Sequence, residues 1–440
     1  MLSEGFITSI RAQPRAPNTA TAKDVGIYFH ELYPTPAIKS SFKKSSTPVN
    51  ALAVSSTHIF AAQADKAVVH VYSRERGNQE ALISFPERIH CVTMIGDGVL
   101  VLGTAEGRVI LWEVCTGRQI STPPAHLQPV SCAVANQLHL VTGSEDSNIH
   151  VWSVPRLLSL TSNERHEPLR SLSNHRAAIT SLGMGHSAST MNICVSASRD
   201  NTIVVWNYHT GDLLRTFLLP STPLCLALDP CDRGVYIGFE DGTLQLVEFI
   251  EPGSTLNPLY DTRLQTTPVQ ITQPPWTTAS EVGAAHTLGL SYDGTTLISG
   301  HASGKIVQWD IGRRRFSAEV ADLNAPVTNL HMLSPFPDKR MTKAGAVVKP
   351  KLGESEYTFT AQLTGTMEVD TFNRVLNAPG IPPEMLDDAI SRFSRPAAAS
   401  SSGDEKLRKE NEELWKVINE QRALQKKTWE KYSQLKSGGA

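Results

Sequence analysis

Little in this sequence could hold a metal or a disulfide framework. Its six cysteines, Cys91, Cys115, Cys132, Cys194, Cys225 and Cys231, form no CxxC pair, and none joins histidines at zinc-finger spacing. Small zinc modules are thereby excluded, no metal or cofactor is expected, and reduced thiols in strand-like segments fit an intracellular compartment better than a secreted one. Charge of one sign is also missing. Lys plus Arg number 41 against 43 acids, a net charge of −2, so nothing pulls the whole chain toward nucleic acid or membrane. Any RNA contact must come from a local patch. No apolar run approaches a membrane span, and residues 1–20 carry Glu4, prolines and arginines where a signal peptide needs an apolar core. A soluble protein is the expectation. No phosphate loop of the GxxxxGKS or GxxxxGKT form occurs; the glycines mark turns instead.

What is present is a repeat. GTAEGRVILWEV (103–114) returns as GSEDSNIHVWSV (143–154), with Trp112 and Trp152 in step 40 residues apart. Weaker copies are AAQADKAVVHVYS (61–73), SASRDNTIVVWNY (196–208), GFEDGTLQLVEF (238–249) and SGHASGKIVQWDI (299–311). A small-residue turn, then alternating apolar residues and an aromatic, recurring at this period, predicts propeller blades. Stacked repeats let 440 residues form one large domain without one large core.

Inner strands, buried on both faces, should read as compact apolar runs. Seven begin near Val49, Ile89, Val130, Ile179, Leu224, Thr287 and Val327, at spacings of 40, 41, 49, 45, 63 and 40. The two widest intervals beyond the repeat place loop insertions at 155–173 and 251–281. The fold class is therefore all-β, a seven-bladed propeller over 1–375. By its distance from the first inner strand, VGIYFHEL (25–32) takes the outer-strand slot of the blade whose inner strand starts near Val327, which closes the ring and removes exposed edges. EYTFTAQL (356–363) and GTMEVDTF (365–372) either complete that blade or begin an eighth.

Two blades carry a hydrogen-bonding group of fixed spacing: His126, Thr142 or Ser144, Asp146 and Trp152, then His175, Ser196, Asp200 and Trp206. Ser, His and Asp together resemble a hydrolase triad. Recurrence at the same turn of successive repeats instead marks a structural relay, with no catalytic residue, in which Asp accepts, His bridges and the indole donates. Elsewhere pieces are lost, with Glu106, Lys66 and Ser303 at the Asp position. Two basic runs, Arg313, Arg314 and Arg315 and then Lys339, Arg340 and Lys343, are candidate contacts for an acidic partner or RNA backbone.

After the propeller the composition changes. Residues 376–403 are a linker with a short helix, PGIPPEMLDDAISRF (379–393), whose Leu386, Ala389, Ile390 and Phe393 share a face. Residues 404–436 contain no Gly or Pro and are mostly strong helix formers. Leu407, Leu414 and Leu435 fall on one heptad position and Asn411, Ile418 and Tyr432 on the alternate one; Leu424, Trp415 and Trp429 widen the apolar surface, while Gln421, Gln425 and Thr428 weaken the seam. Such a helix has nothing of its own to bury against, so a coiled coil, a homodimer with Asn411 fixing register, or a partner's groove is expected.

The WD-type blades GSEDSNIHVWSV and SASRDNTIVVWNY, the VGIYFHEL strand and the helix KLRKENEELWKVINEQ (406–421) in combination resemble the WD-repeat subunit of the fungal complex that matures the second internal transcribed spacer of pre-ribosomal RNA. The resemblance implies a nuclear, non-enzymatic scaffold in assembly of the large ribosomal subunit. Its implied partners are the other subunits of that complex, the pre-ribosomal large-subunit particle and a dynein-related AAA ATPase. It also implies kinship with proteins linked to chromatin and replication licensing. Direct RNA contact stays open, and no membrane partner is implied. The alternative is a WD-repeat substrate receptor or adaptor, for example of a ubiquitin ligase; it would need an adaptor-binding motif such as an F-box, and none is present.

Overall fold

Each apolar run foreseen as an inner strand is one, and each starts a sheet. The computed structural model describes residues 3–11, 25–160, 166–185, 192–249, 259, 261, 265, 267–278, 281–335, 347–350 and 402–437, with side chains of the last segment described over 409–431. Contacts divide the chain into two units, 1–364 and 365–440. The first unit is a ring of seven sheets, antiparallel but for one added strand in blade 4.

Blade 1 is Leu52–Val54, His58–Ala62, Val68–Ser73 and Gln79–Ser84. Blade 2 is Ile89–Ile95, Val99–Thr104, Val109–Glu113 and Gln119–Ser121, and blade 3 is Val130–Ala135, His139–Ser144, Asn148–Ser153 and Arg170–Ser173. Ile179–Met184, Ile193–Ser198, Thr202–Asn207 and Asp212–Leu218 make blade 4. Blade 5 has three strands among the described residues, Pro223–Leu228, Gly234–Phe239 and Leu244–Glu248. Blade 6 is Ala285–Leu290, Thr296–His301, Lys305–Asp310 and Arg315–Asp322. Blade 7 joins the two ends: Val327–Leu333 inside, then Gly5–Ile10, Val25–Glu31 and Ala37–Lys43.

Ring closure differs from the sequence expectation in one place. VGIYFHEL supplies the third strand, not the outer one: Gly5–Ile10 lies between it and the inner strand, pairing Ile7 with both Phe29 and His331, and Ala37–Lys43 pairs outside it. Blade 7 is thus four-stranded from the described residues alone; 356–363, 365–372 and 379–393 lie outside them. Asn329 locks the closure: its amide donates to Ser9 Oγ (2.9 Å) and to the Pro48 carbonyl (2.7 Å), and its oxygen accepts the Ala51 amide (3.1 Å).

Among the described residues there is no central core. Buried apolar residues fall into seven clusters, one at each interface between neighbouring blades, such as Phe60, Ile83, Leu102 and Trp112 between blades 1 and 2. This is how a chain of such length stays well packed. Close approach depends on glycine. A Cβ on Gly143 would stand 2.8 Å from Ile179 Cγ2 of the next blade and 3.0 Å from Cys132 Sγ of its own; Gly103, Gly238 and Gly300 hold the equivalent place.

The insertion at 251–281 is no extra blade, and it does more than loop over the surface. Val269–Gln270 pairs in parallel with Phe217 and Leu218 as a fifth strand of blade 4, while Trp276 bridges to Leu244 of blade 5. One segment therefore stitches two neighbours, with Trp276 buried between blades 5 and 6. The second unit's described part is a single helix, Ser402–Ser437, 36 residues long.

Candidate functional site

Sequence spacing placed a polar relay in blades 3 and 4, and both relays are assembled. In blade 3 the Trp152 indole donates to Thr142 Oγ1 at 3.0 Å, and that oxygen lies 2.9 Å from His126 Nε2. Thr142 is thus the hydroxyl of the relay; Ser144 donates instead to the Pro129 carbonyl at 2.9 Å. Blade 4 repeats this with Trp206 to Ser196 Oγ at 2.9 Å and Ser196 Oγ to His175 Nε2 at 2.7 Å. An indole can only donate, so the hydroxyl oxygen accepts from it; a carboxylate, which can only accept, stands on the Nδ1 side of each imidazole, which assigns the ring proton to Nδ1 and makes the hydroxyl the donor to Nε2.

That proton faces the aspartate. His175 Nδ1 lies 3.3 Å from Asp200 Oδ2, and Asp200 also accepts the Arg176 amide at 2.8 Å. His126 Nδ1 lies 3.4 Å from Asp146 Oδ2 without a hydrogen bond's alignment, while Asp146 accepts the Leu127 amide at 2.8 Å. Burial alone would raise the Asp200 carboxyl, but His175, the Thr202 hydroxyl and the Arg176 amide outweigh it and hold it below the usual range. Burial, then the neighbouring His150, lowers His126 to about 4 against the pull of Asp146. Ser196 is fully buried beneath its tryptophan, so this Ser, His and Asp group holds two strands and a turn together and offers no reachable nucleophile.

Two further relays escaped the sequence reading. In blade 6 the Trp309 indole donates to Ser299 Oγ at 2.7 Å, which lies 2.7 Å from His301 Nε2, and His301 Nδ1 meets the Gly283 carbonyl at 3.1 Å. Here the histidine comes from the second strand itself and a backbone carbonyl replaces the aspartate. In blade 7 His30 takes the aromatic's place, with Nε2 2.9 Å from Thr8 Oγ1 and its ring stacked on Phe6 at 4.6 Å. The available signal was a hydroxyl ten residues before each tryptophan, shared by Thr142, Ser196 and Ser299.

Blade 2 lacks that hydroxyl, since Leu102 stands ten residues before Trp112. Its indole donates instead to the Val348 carbonyl at 3.1 Å, and the Val348 amide returns to the Val114 carbonyl at 2.9 Å. Residues 347–350 therefore strap blade 2.

The candidate basic contact is partly neutralised. The Arg313 guanidinium lies 3.7 Å from Asp310 Oδ2, and the Arg314 guanidinium meets Glu248 Oε1 at 2.8 Å. Arg315 opens the outer strand of blade 6. Lys339, Arg340 and Lys343 lie outside the described residues. On the C-terminal helix, Leu414, Trp415, Val417, Ile418, Leu424 and Trp429 are between 39% and 70% exposed, and Asn411 is exposed as well. Thr428 turns its hydroxyl back onto the Leu424 and Gln425 carbonyls. The side chains of Leu407, Tyr432 and Leu435 lie outside the described residues.

Comparison with known proteins agrees with this geometry. The family described as "WD domain, G-beta repeat" matches residues 117–153 and 166–207, from the outer strand of blade 2 to the third strand of blade 4, a stretch that includes both Trp152 and Trp206. The chain is similar to pre-rRNA-processing protein crb3/ipi3 of Schizosaccharomyces pombe, 27% identical over 68% of this chain and 73% of that one. It is similar to pre-rRNA-processing protein IPI3 of Yarrowia lipolytica, 24% identical over 82% and 88%, and to human WD repeat-containing protein 18, 26% identical over 63% and 62%. Among solved structures, the computationally designed Ika8 protein superposes with a TM-score of 0.50 at 23% identity, covering 75% of this chain and 91% of that one, a likeness of fold alone.

Proposed function

This chain is a seven-bladed WD40 propeller similar to proteins named for pre-rRNA processing, and from that premise we propose that it is a non-enzymatic scaffold in pre-rRNA processing and large-subunit assembly. The observation carrying this reading is a likeness that extends well past the two repeats matching the WD family model, over 82% of this chain and 88% of the Yarrowia relative. Generic WD repeats alone would carry no such direction. A propeller has several separate rims, and a helix with an exposed apolar side adds another contact, so several partners can be held at once. In this reading the domains are a propeller over 1–375, a linker over 376–403 and a pairing helix over 404–436 that joins two copies. The protein works in the nucleus with the other subunits of its complex on the pre-ribosomal large-subunit particle, and helps to recruit a dynein-related AAA ATPase.

The test is affinity purification of the tagged full-length protein at moderate salt, with mass spectrometry and RNA analysis. Large-subunit assembly factors with spacer-containing pre-rRNA are expected. Recovery of cullin or ubiquitin machinery without ribosomal precursors would overturn the reading.

A further inference from the structure

Inner strands of a propeller face one channel, and here that channel carries an unassigned pocket. A cavity of about 440 Å³ opens among residues from six blades and from Arg11 at the end of Gly5–Ile10. Val49, Ile89, Ile179 and Leu224 give it an apolar wall. Asn50, in blade 1's approach to its inner strand, donates its amide to the Ser131 carbonyl of blade 3 and the Thr180 carbonyl of blade 4, each at 3.2 Å. A bond from blade 1 to blades 3 and 4 must cross the channel, and Asn50 also lines the cavity. The amide thus blocks the channel on that line, with its donors spent on the protein itself.

The pocket's charge is uneven. Arg11 shares its charge with Asp65 at 3.6 Å, but exposed Arg88 and Arg199 have no carboxylate partner among the described residues, and Glu145 is the one further acid in the lining. A guanidinium offers a planar pair of donors matched to a carboxylate. Apolar walls with a few placed polar groups are what a ligand pocket requires.

We infer that this mouth is a binding site for a short acidic peptide segment, which sinks one apolar side chain between Val49, Ile89, Ile179 and Leu224 and lays flanking carboxylates on Arg88 and Arg199. Glu145 sets its selectivity by repelling a carboxylate placed on its side. The inference does not depend on the pre-ribosomal reading, because it concerns the purified protein and a synthetic probe.

The experiment uses full-length protein and an array of fluorescein-labelled peptides Glu-Glu-X-Glu-Glu, with each apolar residue at X, read by polarisation at low salt. At least one is expected to bind, with Arg88→Glu and Arg199→Glu each weakening it at least tenfold while the melting temperature is unchanged. Glu145→Gln should tighten it several-fold, and salt should weaken it. Three results would overturn the inference: no peptide binding at millimolar concentration, binding indifferent to both arginine variants, or equal binding of Lys-Lys-X-Lys-Lys. Tighter, arginine-dependent binding of a single-stranded oligouridylate would move the site to nucleic acid and overturn it as well.

Discussion

The indole nitrogen of Trp112 donates to the carbonyl of Val348, 236 residues further along the chain. Trp112 is wholly buried, and an unmet donor there would cost about 1–3 kcal/mol. The strap supplies from afar what Thr142, Ser196 and Ser299 supply locally. Gly117, at φ +78°, faces it: a Cβ there would sit 2.7 Å from Val348 Cγ1 and 2.9 Å from the Lys349 carbonyl. Gly117→Ala should loosen the strap, and hydrogen exchange at the Val348 amide should accelerate at least tenfold; unchanged exchange would count against it.

The relays should matter to stability and to nothing chemical. Asp200→Asn weakens the acceptor of His175 and the Arg176 amide, and Ser299→Ala orphans both Trp309 and His301, each at about 1–3 kcal/mol. Asp146→Asn should cost less, because its line to His126 is poor. Denaturant titration measures all three; unchanged melting in both Asp variants would sink the structural assignment.

Acid should weaken the ring in a defined window. Burial lowers His30, His126 and His301 to about 4 each, while an unfolded imidazole takes its proton near about 6.5. Between these values the unfolded chain binds more protons, so stability is full above about 6.5 and falls as pH drops toward 4. Asp200, whose folded carboxyl is depressed, extends the loss as pH falls further. The melting temperature should drop steadily from pH 6.5 to 4 and more gently in His301→Gln. A flat profile would show that these imidazoles charge without cost.

Blade spacing tests the glycine contacts. Gly143→Ala must push Ile179 or Cys132 aside, an overpacking cost of about 1–3 kcal/mol. Gly98→Ala, with open space around it, is the control and should be neutral. Equal melting of the two variants would mean the blades adjust freely.

Deleting 404–440 should leave a folded, monomeric propeller, since all seven sheets are complete without it. Light scattering decides; a truncated protein that still dimerises would place pairing elsewhere.

Blade number was legible because an inner strand with no fully exposed position leaves a compact apolar run, as at Ile179–Met184 and Pro223–Leu228. The relays of Asp146 and Asp200 were legible because each stays within its own repeat. Non-local substitutes were not. No spacing rule links Leu102 to Val348, and His301 replaces a loop histidine from another strand. Gly5–Ile10 escaped because its partner strand, Val327–Leu333, comes after all six other blades in the sequence. Arg88 and Arg199 stand far apart in sequence, and only circular closure brings them to one mouth.

Blade 7 also sets an order of events during synthesis. Gly5–Ile10 leaves the ribosome first among the strands, yet its inner neighbour is Val327–Leu333. At about 5–20 residues per second, its unpaired edge waits tens of seconds for that neighbour. Until His331 arrives beside Ile7, the nascent chain exposes a strand any sticky bystander could claim.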